Sequence, residues 1–486
     1  MVVKSVLFEL WALPGTGIEL PVLAWAFLAV LAIVVSTFLL KKIAGAETFF
    51  WSFSIIRSQR LTKTILALER FGPIVSILSE IGLVLGFGVF ASDFLYGRKR
   101  NKIERIAIAI ATASALFLFY SFTFFNSFEV APALNPFKHF LVLVFSVFGI
   151  SGFMVLLLSI MAFGIIVRFF AGQPSCPNIA PLIPGVQLPQ VPFVVPVYAW
   201  IGIFFAMIVH EASHGIKAVY ERVKVKSSGL LAIGFFPIGA FVEPDEEMLK
   251  AVSERARAGV FAAGPAANLA SMVPVLVLIL LFGMLFFVPA KTALEKAYLE
   301  GVSHVQIVGV DENLPFCGNP QAPAHGKLQP GMKVLQVNDV NIRTTSDLQI
   351  ALRQKPFQKT RFLVDLNGEI REIFITPHQE TSYFGFQTEN VMKSGFVLPE
   401  KEFNNYYWIA LFFDILQWIL LISFLLATAN FLPVPIFDGG QIAVILYSPL
   451  LKPFIAVQEK REKIVKGFFY LLLFVLFAVN ALPFFL

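Results

Sequence analysis

Charge is scarce in this chain. Only 14% of its 486 residues are Asp, Glu, Lys or Arg, where a soluble domain usually carries about 25%. That shortfall excludes an ordinary soluble globular protein. Cysteine is nearly absent, with Cys176 and Cys317 alone. Two cysteines build no disulfide framework, and their spacing suits no metal motif. Histidine is also rare, at six residues, so any clustering of it stands out. The net charge of +6 does not point to nucleic acid, because the basic residues gather in short loops beside apolar runs. A cleavable leader is not evident. Lys4, Glu9 and an early Pro-Gly turn precede an apolar stretch of full spanning length.

What the chain has in excess is apolar surface, at 57% hydrophobic residues with 54 Phe. Val22–Leu40, Ile106–Phe128, Phe140–Val167, Phe169–Val209, Ala258–Ala290, Ile415–Phe437 and Gly467–Leu486 contain no charged residue. Phe71–Leu95 is a further run, with Glu80 and Asp93 inside it. A helix needs about 20 predominantly apolar residues to cross a bilayer, and most of these runs reach that length. The composition therefore predicts a polytopic α-helical membrane protein.

Four regions follow. Residues 1–190 read as accessory transmembrane helices, about four of them. Residues 191–292 hold a His-Glu motif, a polar turn and a long apolar helix. Residues 293–400 turn polar and alternate like strands. Residues 403–486 return to apolar helices. In the third region, Phe362–Leu366 and Arg371–Thr376 flank Asn367-Gly368-Glu369, a hairpin signal. Thr345–Gln354 begins with an N-cap signal and predicts a short helix. Leu328–Ile342, with its Pro-Gly turn and two short strands, resembles a segment of PDZ domains. We therefore expect a small β-rich, PDZ-like domain inserted between membrane helices.

His210-Glu211-Ala212-Ser213-His214 matches H-E-x-x-H. On a helix, residues four apart share one face, so both imidazoles can reach one tetrahedral ion. Glu211 stands beside them, placed to take a proton from water. Two imidazoles and a carboxylate suit zinc. The motif directly follows the charge-free Val191–Val209, and ionisable groups at membrane depth are functional by default. A catalytic zinc site needs a third protein ligand. Asp438 is the candidate, on a loop broken by Pro433 and Pro435 and followed by Gly439-Gly440. Irregular backbone at membrane depth is tolerated where it lines a cavity. Read alone, Asp438 is equally a helix-ending loop residue at the membrane surface.

Together these residues resemble the site-2 protease family of intramembrane zinc metalloproteases. The matching motifs are His210-Glu211-x-x-His214, Gly264-Pro265-x-x-Asn268 and Asn430-x-x-Pro433-x-x-x-x-Asp438-Gly439. Ile183–Pro189 and Phe236–Glu247 look like the branch that includes the animal enzyme. The likeness covers roughly residues 180–486, and residues 1–170 match nothing specific. It implies one zinc per chain held by His210, His214 and Asp438, with Glu211 as general base. It implies cleavage of peptide bonds in or near the transmembrane helices of membrane-protein substrates. Asn430 and Asn268 match asparagines expected to position substrate. For Asn268, a helix–helix hydrogen bond beside Gly264 is the other reading. In the family, the segment equivalent to Gly229–Asp245 is a membrane-dipping β-hairpin-like loop, and an open edge there could pair with an unwound substrate. The PDZ-like domain is expected to admit substrates whose outer domain another protease has removed. Thr381–Gln387 weakly resembles a carboxylate-binding loop.

Lys217, Arg222, Lys224 and Lys226 follow the first motif, and Lys452, Lys460, Arg461, Lys463 and Lys466 follow Asp438. Both groups are expected on the cytoplasmic side. The PDZ-like domain then lies outside with Cys176 and Cys317, and the metal site sits toward the cytoplasm. Counting back through every run as a span puts Arg98–Arg105 outside, against the same rule. Either one N-terminal run does not span, or a boundary is misplaced. Two other functions remain in view. One is a catalytically silent scaffold or chaperone that binds peptides through the PDZ-like domain. The other is a metal transporter using Glu80, Asp414 and the histidine pair. An intact base and ligand set favours the protease over the scaffold. The positions of Glu80 and Asp414 near the ends of their runs weaken the transporter.

Overall fold

The structure, a computed structural model, describes residues 22–49, 51–122, 138–173, 175, 177–186, 194–314, 320–355, 357–379, 382–397 and 399–484. Cys176, Cys317, Lys4 and Glu9 lie outside these residues, as do parts of the segments at Ile183–Pro189 and Thr381–Gln387. Seven described helical segments are long and apolar enough to cross a membrane: Gln59–Gly97, Lys102–Tyr120, His139–Phe170, Ala199–Tyr220, Glu254–Gly301, Glu400–Phe431 and Gln458–Phe484.

The chain begins with helix α1 (Val22–Ala44), strands β1 (Glu47–Phe49) and β2 (Phe53–Arg57), and helices α2 (Gln59–Ala67) and α3 (Gly72–Ser92). Helix α3 is not straight. It breaks at Gly88, with φ 57° and ψ −133°, a backbone conformation costly for any residue with a Cβ. The Tyr96 hydroxyl donates to Glu80 Oε2 at 3.2 Å. On an unbroken helix those residues would stand about 24 Å apart, so the chain has turned back.

After α4 (Lys102–Tyr120), helix α5 (Lys138–Phe170) reverses likewise at Gly149. The Phe145 and Phe153 rings lie 4.1 Å apart, where a straight helix would separate them by about 12 Å. The two tips meet. A Cβ on Gly88 would strike the Val147 carbonyl, and one on Gly149 would strike Gly86.

The reversal at Gly88 brings both limbs of α3 to one end of the bundle. It returns Arg98 to Glu254, at 2.7 Å, and leaves Glu80 paired with Arg255, at 2.6 Å. Glu254 opens α8 (Glu254–Phe282). Lys217, near the end of α6 (Ala199–Tyr220), packs against Gly259 of the same helix. Arg98–Arg105 therefore stands at the same end of the bundle as Lys217–Lys226. Phe71–Leu95 precedes Arg98 and does not enter a count made back from Lys217; the run between the two that turns back is Phe140–Val167, at Gly149. A hydropathy run records apolar character but not direction.

Strands β3 (Val225–Ile233) and β4 (Phe236–Pro244) and the short helix α7 (Glu246–Ala251) connect α6 to α8. The expected hairpin at Gly229–Asp245 is part of a larger sheet of order β1-β2-β3-β4. Strand β2 pairs with β3 from Phe53↔Ile233 to Arg57↔Gly229. That leaves β4 as the edge, and it runs alongside α6. Phe236 packs on Trp200 with ring centroids 4.6 Å apart, and Val242 lies against Glu211 and Gly215.

Helix α8 buries a face of small residues, including Ala258, Ala262, Ala263, Gly264 and Ala266. Small side chains let helices approach closely where lipid offers no hydrophobic drive. The helical path continues through α9 (Val288–Gly301) into a small β-rich domain: β5 (Val302–Val310), β6 (Lys333–Val337), β7 (Val340–Asn341), α10 (Thr345–Gln354), β8 (Thr360–Leu366), β9 (Glu369–Ile375) and β10 (Phe386–Met392). Its sheet order is β10-β5-β6-β8-β9, with β7 on β6. Asn367 and Gly368 both have positive φ between β8 and β9, the turn that the Asn-Gly pair prefers. Thr344 caps α10 in a box with Asp347. Phe362, fully buried, centres the core with Ile307, Met332 and Ile375.

Helix α11 (Glu400–Asn430) then runs back into the bundle and ends before Pro433 and Pro435, neither of which could donate a helical hydrogen bond. Helices α12 (Asp438–Tyr447) and α13 (Gln458–Ala481) close the chain. Phe431, fully buried, packs edge-on to Phe87 near the Gly88 tip. The N-terminal hairpin is thus built into the helices that carry the site.

Candidate metal centre

His210 and His214 sit one turn apart on α6, both buried. Asp438 is the first residue of α12, where a helix N-terminus favours an anion. Gly439 and Gly440 behind it are so tightly enclosed that a Cβ on either would strike the Phe431–Pro435 backbone. That contact seats the helix start on the proline loop and fixes where Asp438 points.

The donor atoms form a triangle. His210 Nε2 lies 3.0 Å from Asp438 Oδ2, His214 Nε2 lies 3.1 Å from it, and the two nitrogens are 3.0 Å apart. Donors about 2.0–2.1 Å from one tetrahedral zinc ion stand about 3.3 Å from each other. The residues present therefore fit a metal in number, chemistry and spacing. Among the described residues, this is the group of three His, Cys, Asp or Glu side chains able to hold one.

Helix α8 forms the floor. A Cβ on Gly264 would lie 2.6 Å from His210 Nε2 and closer still to His214 Nε2, so only glycine fits there with the imidazoles in place. His214 Nδ1 is 2.7 Å from the Val260 carbonyl. Asn268, with no exposed surface, places Nδ2 3.2 Å from His210 Nδ1, while its Oδ1 has no hydrogen-bond partner.

Glu211 stays out of the triangle. Its Oε2 accepts the backbone N–H of Val242 at 2.9 Å, which ties it to the open edge of the first sheet. Asn430 ends α11, and its Nδ2 donates to the Leu426 carbonyl at 3.0 Å, so the amide nitrogen is engaged with its own helix. Beyond the bundle, Asp245 caps α7. The Met248 N–H, with Lys226 and the Glu247 N–H, holds its carboxyl below the usual carboxylate range against a smaller opposing effect of burial.

Glu80 and Asp414 do not join the cluster. Glu80 is taken up by Arg255 and Tyr96. Asp414 accepts from the Tyr198 hydroxyl at 3.4 Å. Among the described residues, neither stands in a group of acids or histidines that could hold a metal. Sequence reasoning missed three contributors to the site: the Val260 carbonyl, the Val242 N–H and the β1–β2 hairpin. The first two are backbone groups, which leave no mark in a sequence.

Fold and site together define a class, an integral membrane protein with a His-His-Asp donor set enclosed by its helices. Comparison with known families agrees. The family model for peptidase family M50 matches residues 198–476, more than half of the chain, and the chain belongs to that family, the site-2 protease family of metallopeptidases. The matched range contains His210, Glu211, His214, Asn268, Asn430 and Asp438. The uncharacterized protein MJ0971 of Methanocaldococcus jannaschii is 29% identical over 243 residues, covering 50% of this chain and 55% of that protein. The chain thus spans about half the length of the curated relative it matches.

Proposed function

We propose that this protein is an intramembrane zinc metalloendopeptidase that cleaves membrane-spanning segments of other membrane proteins. The observation that carries the reading is the donor triangle of His210, His214 and Asp438, with Glu211 beside it on α6 and bonded to Val242 of the edge strand β4. Zinc held by His210 Nε2, His214 Nε2 and Asp438 Oδ2 would supply a Lewis acid that acidifies water and polarises the scissile carbonyl.

The chain's own residues do the rest. Glu211 Oε2 takes the proton of the attacking water and returns it to the leaving amine. Strand β4 offers its open edge to a substrate whose helix has unwound, by strand addition. Strand β2 already covers the other side of the hairpin, so β4 is the edge left to use. The pairing takes up the Val242 N–H and frees Glu211. Asn430 is the candidate donor to the scissile carbonyl oxygen.

Orientation follows from charge. Lys217–Lys226 and Arg98–Arg105 share one end of the bundle and belong on the cytoplasmic side. The β-rich domain then lies outside. Its local elements support a PDZ-like reading: the Pro-Gly turn at Gly331, β6, the tight turn at Asn338 and β7. Such a domain would filter substrates by binding extended peptides or new C-termini, and so favour those already trimmed by another protease.

The test uses the full chain in lipid nanodiscs, with metal analysis and several model transmembrane substrates. Wild type is expected to carry one zinc and to cleave. Glu211→Gln should be slower by about 10²–10⁴-fold, the usual contribution of a general base. If wild type cleaves no substrate better than Glu211→Gln, the protease reading fails. Substrate binding without cleavage would then favour the silent scaffold.

A further inference from the structure

We infer that Asn268 fixes His210 as a metal ligand by presenting its Oδ1 to the Nδ1–H of that imidazole. The inference rests on the metalloprotease reading above.

His210 Nε2 faces Asp438 and His214. For that nitrogen to give its lone pair to a metal, the ring proton must sit on Nδ1. Nδ1–H then needs an acceptor. The atom 3.2 Å away is Asn268 Nδ2, which carries two hydrogens and accepts none. Two donors would face each other. That amide orientation suits only the other tautomer, in which Nδ1 accepts and Nε2–H donates to Asp438. A ring in that tautomer cannot bind a metal through Nε2.

Asn268 Oδ1, meanwhile, is buried and has no partner. A half-turn of the amide exchanges nitrogen for oxygen in nearly the same volume. One unpartnered atom replaces another, but donor facing donor becomes donor facing acceptor. The tautomer that binds metal through Nε2 therefore requires the orientation in which Oδ1 faces Nδ1–H.

His214 has the same support in backbone form. Its Nδ1 lies 2.7 Å from the Val260 carbonyl, which can only accept. Val260, Gly264 and Asn268 are spaced by four along α8, and His210 and His214 by four along α6. One stripe of α8 thus meets one face of α6. The stripe gives each imidazole an acceptor and leaves a floor without a side chain between them. Asn268 meets the Nδ1 edge of His210, away from the donor triangle, and has no exposed surface. This makes it a positioning residue that acts through His210, in place of the substrate contact expected from its motif.

The experiment compares wild type, Asn268→Asp and Asn268→Leu as full chains in nanodiscs. Zinc affinity is read by chelator competition, and donor geometry by the visible absorption of the cobalt(II)-loaded protein. Asp keeps an acceptor and cannot donate. It is expected to bind zinc at least as tightly as wild type, with an unchanged cobalt spectrum. Leu has similar size and no acceptor. It is expected to bind about 10–100-fold more weakly, as losing a partner behind a ligand usually costs, and to alter the cobalt bands. Should the Leu variant fail to fold, Asp alone decides, because an amide that acted as a donor would lose affinity there. Wild-type affinity in the Leu variant, or a tenfold loss in the Asp variant, overturns the inference while the metal site stands. Failure of wild type to bind zinc or cobalt removes the metalloprotease reading itself.

Discussion

Gly264→Ala tests how closely α8 sets the metal geometry. The added Cβ would lie 2.6 Å from His210 Nε2 and closer to His214 Nε2. An unstrained contact needs about 3.5 Å, so the imidazoles or the helix must retreat by roughly 0.9 Å. Metal donors tolerate about 0.2 Å. A misplacement near 1 Å can cost about 10²-fold, or about 2.7 kcal/mol. Zinc affinity should fall by that factor and kcat/KM by at least as much. Both imidazoles are buried and held from behind, so the metal-free variant should also lose about 1–3 kcal/mol to the overpacking. Chelator competition gives the affinity, and thermal unfolding of the stripped protein gives the stability. Gly467→Ala on α13 is the control. A Cβ there meets nothing within 4 Å, and the variant should gain roughly 0.5–1 kcal/mol with zinc binding intact. Wild-type zinc affinity in Gly264→Ala would refute the role of α8 as the floor of the site.

Gly88→Ala forces a Cβ onto a positive-φ turn and into the Val147 carbonyl. It should lower stability by at least 1–3 kcal/mol, read by thermal unfolding in detergent. Val242→Pro removes the N–H that holds Glu211, on an edge strand where proline is tolerated. Cleavage should slow by up to about tenfold, because the same N–H is then missing from the strand pairing with substrate, a loss of about 0.5–1.5 kcal/mol, with zinc content unchanged. Thr344→Ala should loosen α10 by about 1 kcal/mol, seen as faster hydrogen exchange in that helix alone. The Asp245 carboxyl titrates lower folded than unfolded, so its support of α7 is full above the unfolded value of 3.8 and fades as pH falls through the folded one. Asp245→Asn should remove that acid dependence from local exchange at α7.

The parts of the site on one helix were legible in the sequence, because a spacing of four residues is a statement about geometry. His210 and His214 needed no tertiary information. The two prolines and two glycines around Asp438 announced irregular backbone and made it a candidate, but its place as third ligand came from the family resemblance. The Asn367-Gly368 turn and the α10 cap were equally local. What escaped was everything set by contacts distant in sequence. Nothing in Phe53–Arg57 announces pairing with Val225–Ile233. Gly88 and Gly149 lie inside apolar runs that contain other glycines, and only packing selects which of them reverses the chain. Asn268 was singled out, but its partner was not, because a motif names a residue and not the atom that it faces.

The hairpin that turns at Gly88 bears on how the protein is made. Glu80 and Arg98 sit on its two limbs, yet their partners Arg255 and Glu254 come much later, with 175 residues separating Glu80 from Arg255. At about 5–20 residues per second of synthesis, the hairpin waits about 9–35 s for those charges to emerge. During that interval it must hold unmatched charge at the membrane border, hand it to lipid headgroups, or stay outside until α8 arrives. The N-terminal segment therefore reaches its final seat only after the metal-binding half has entered the bilayer, although it leaves the ribosome first.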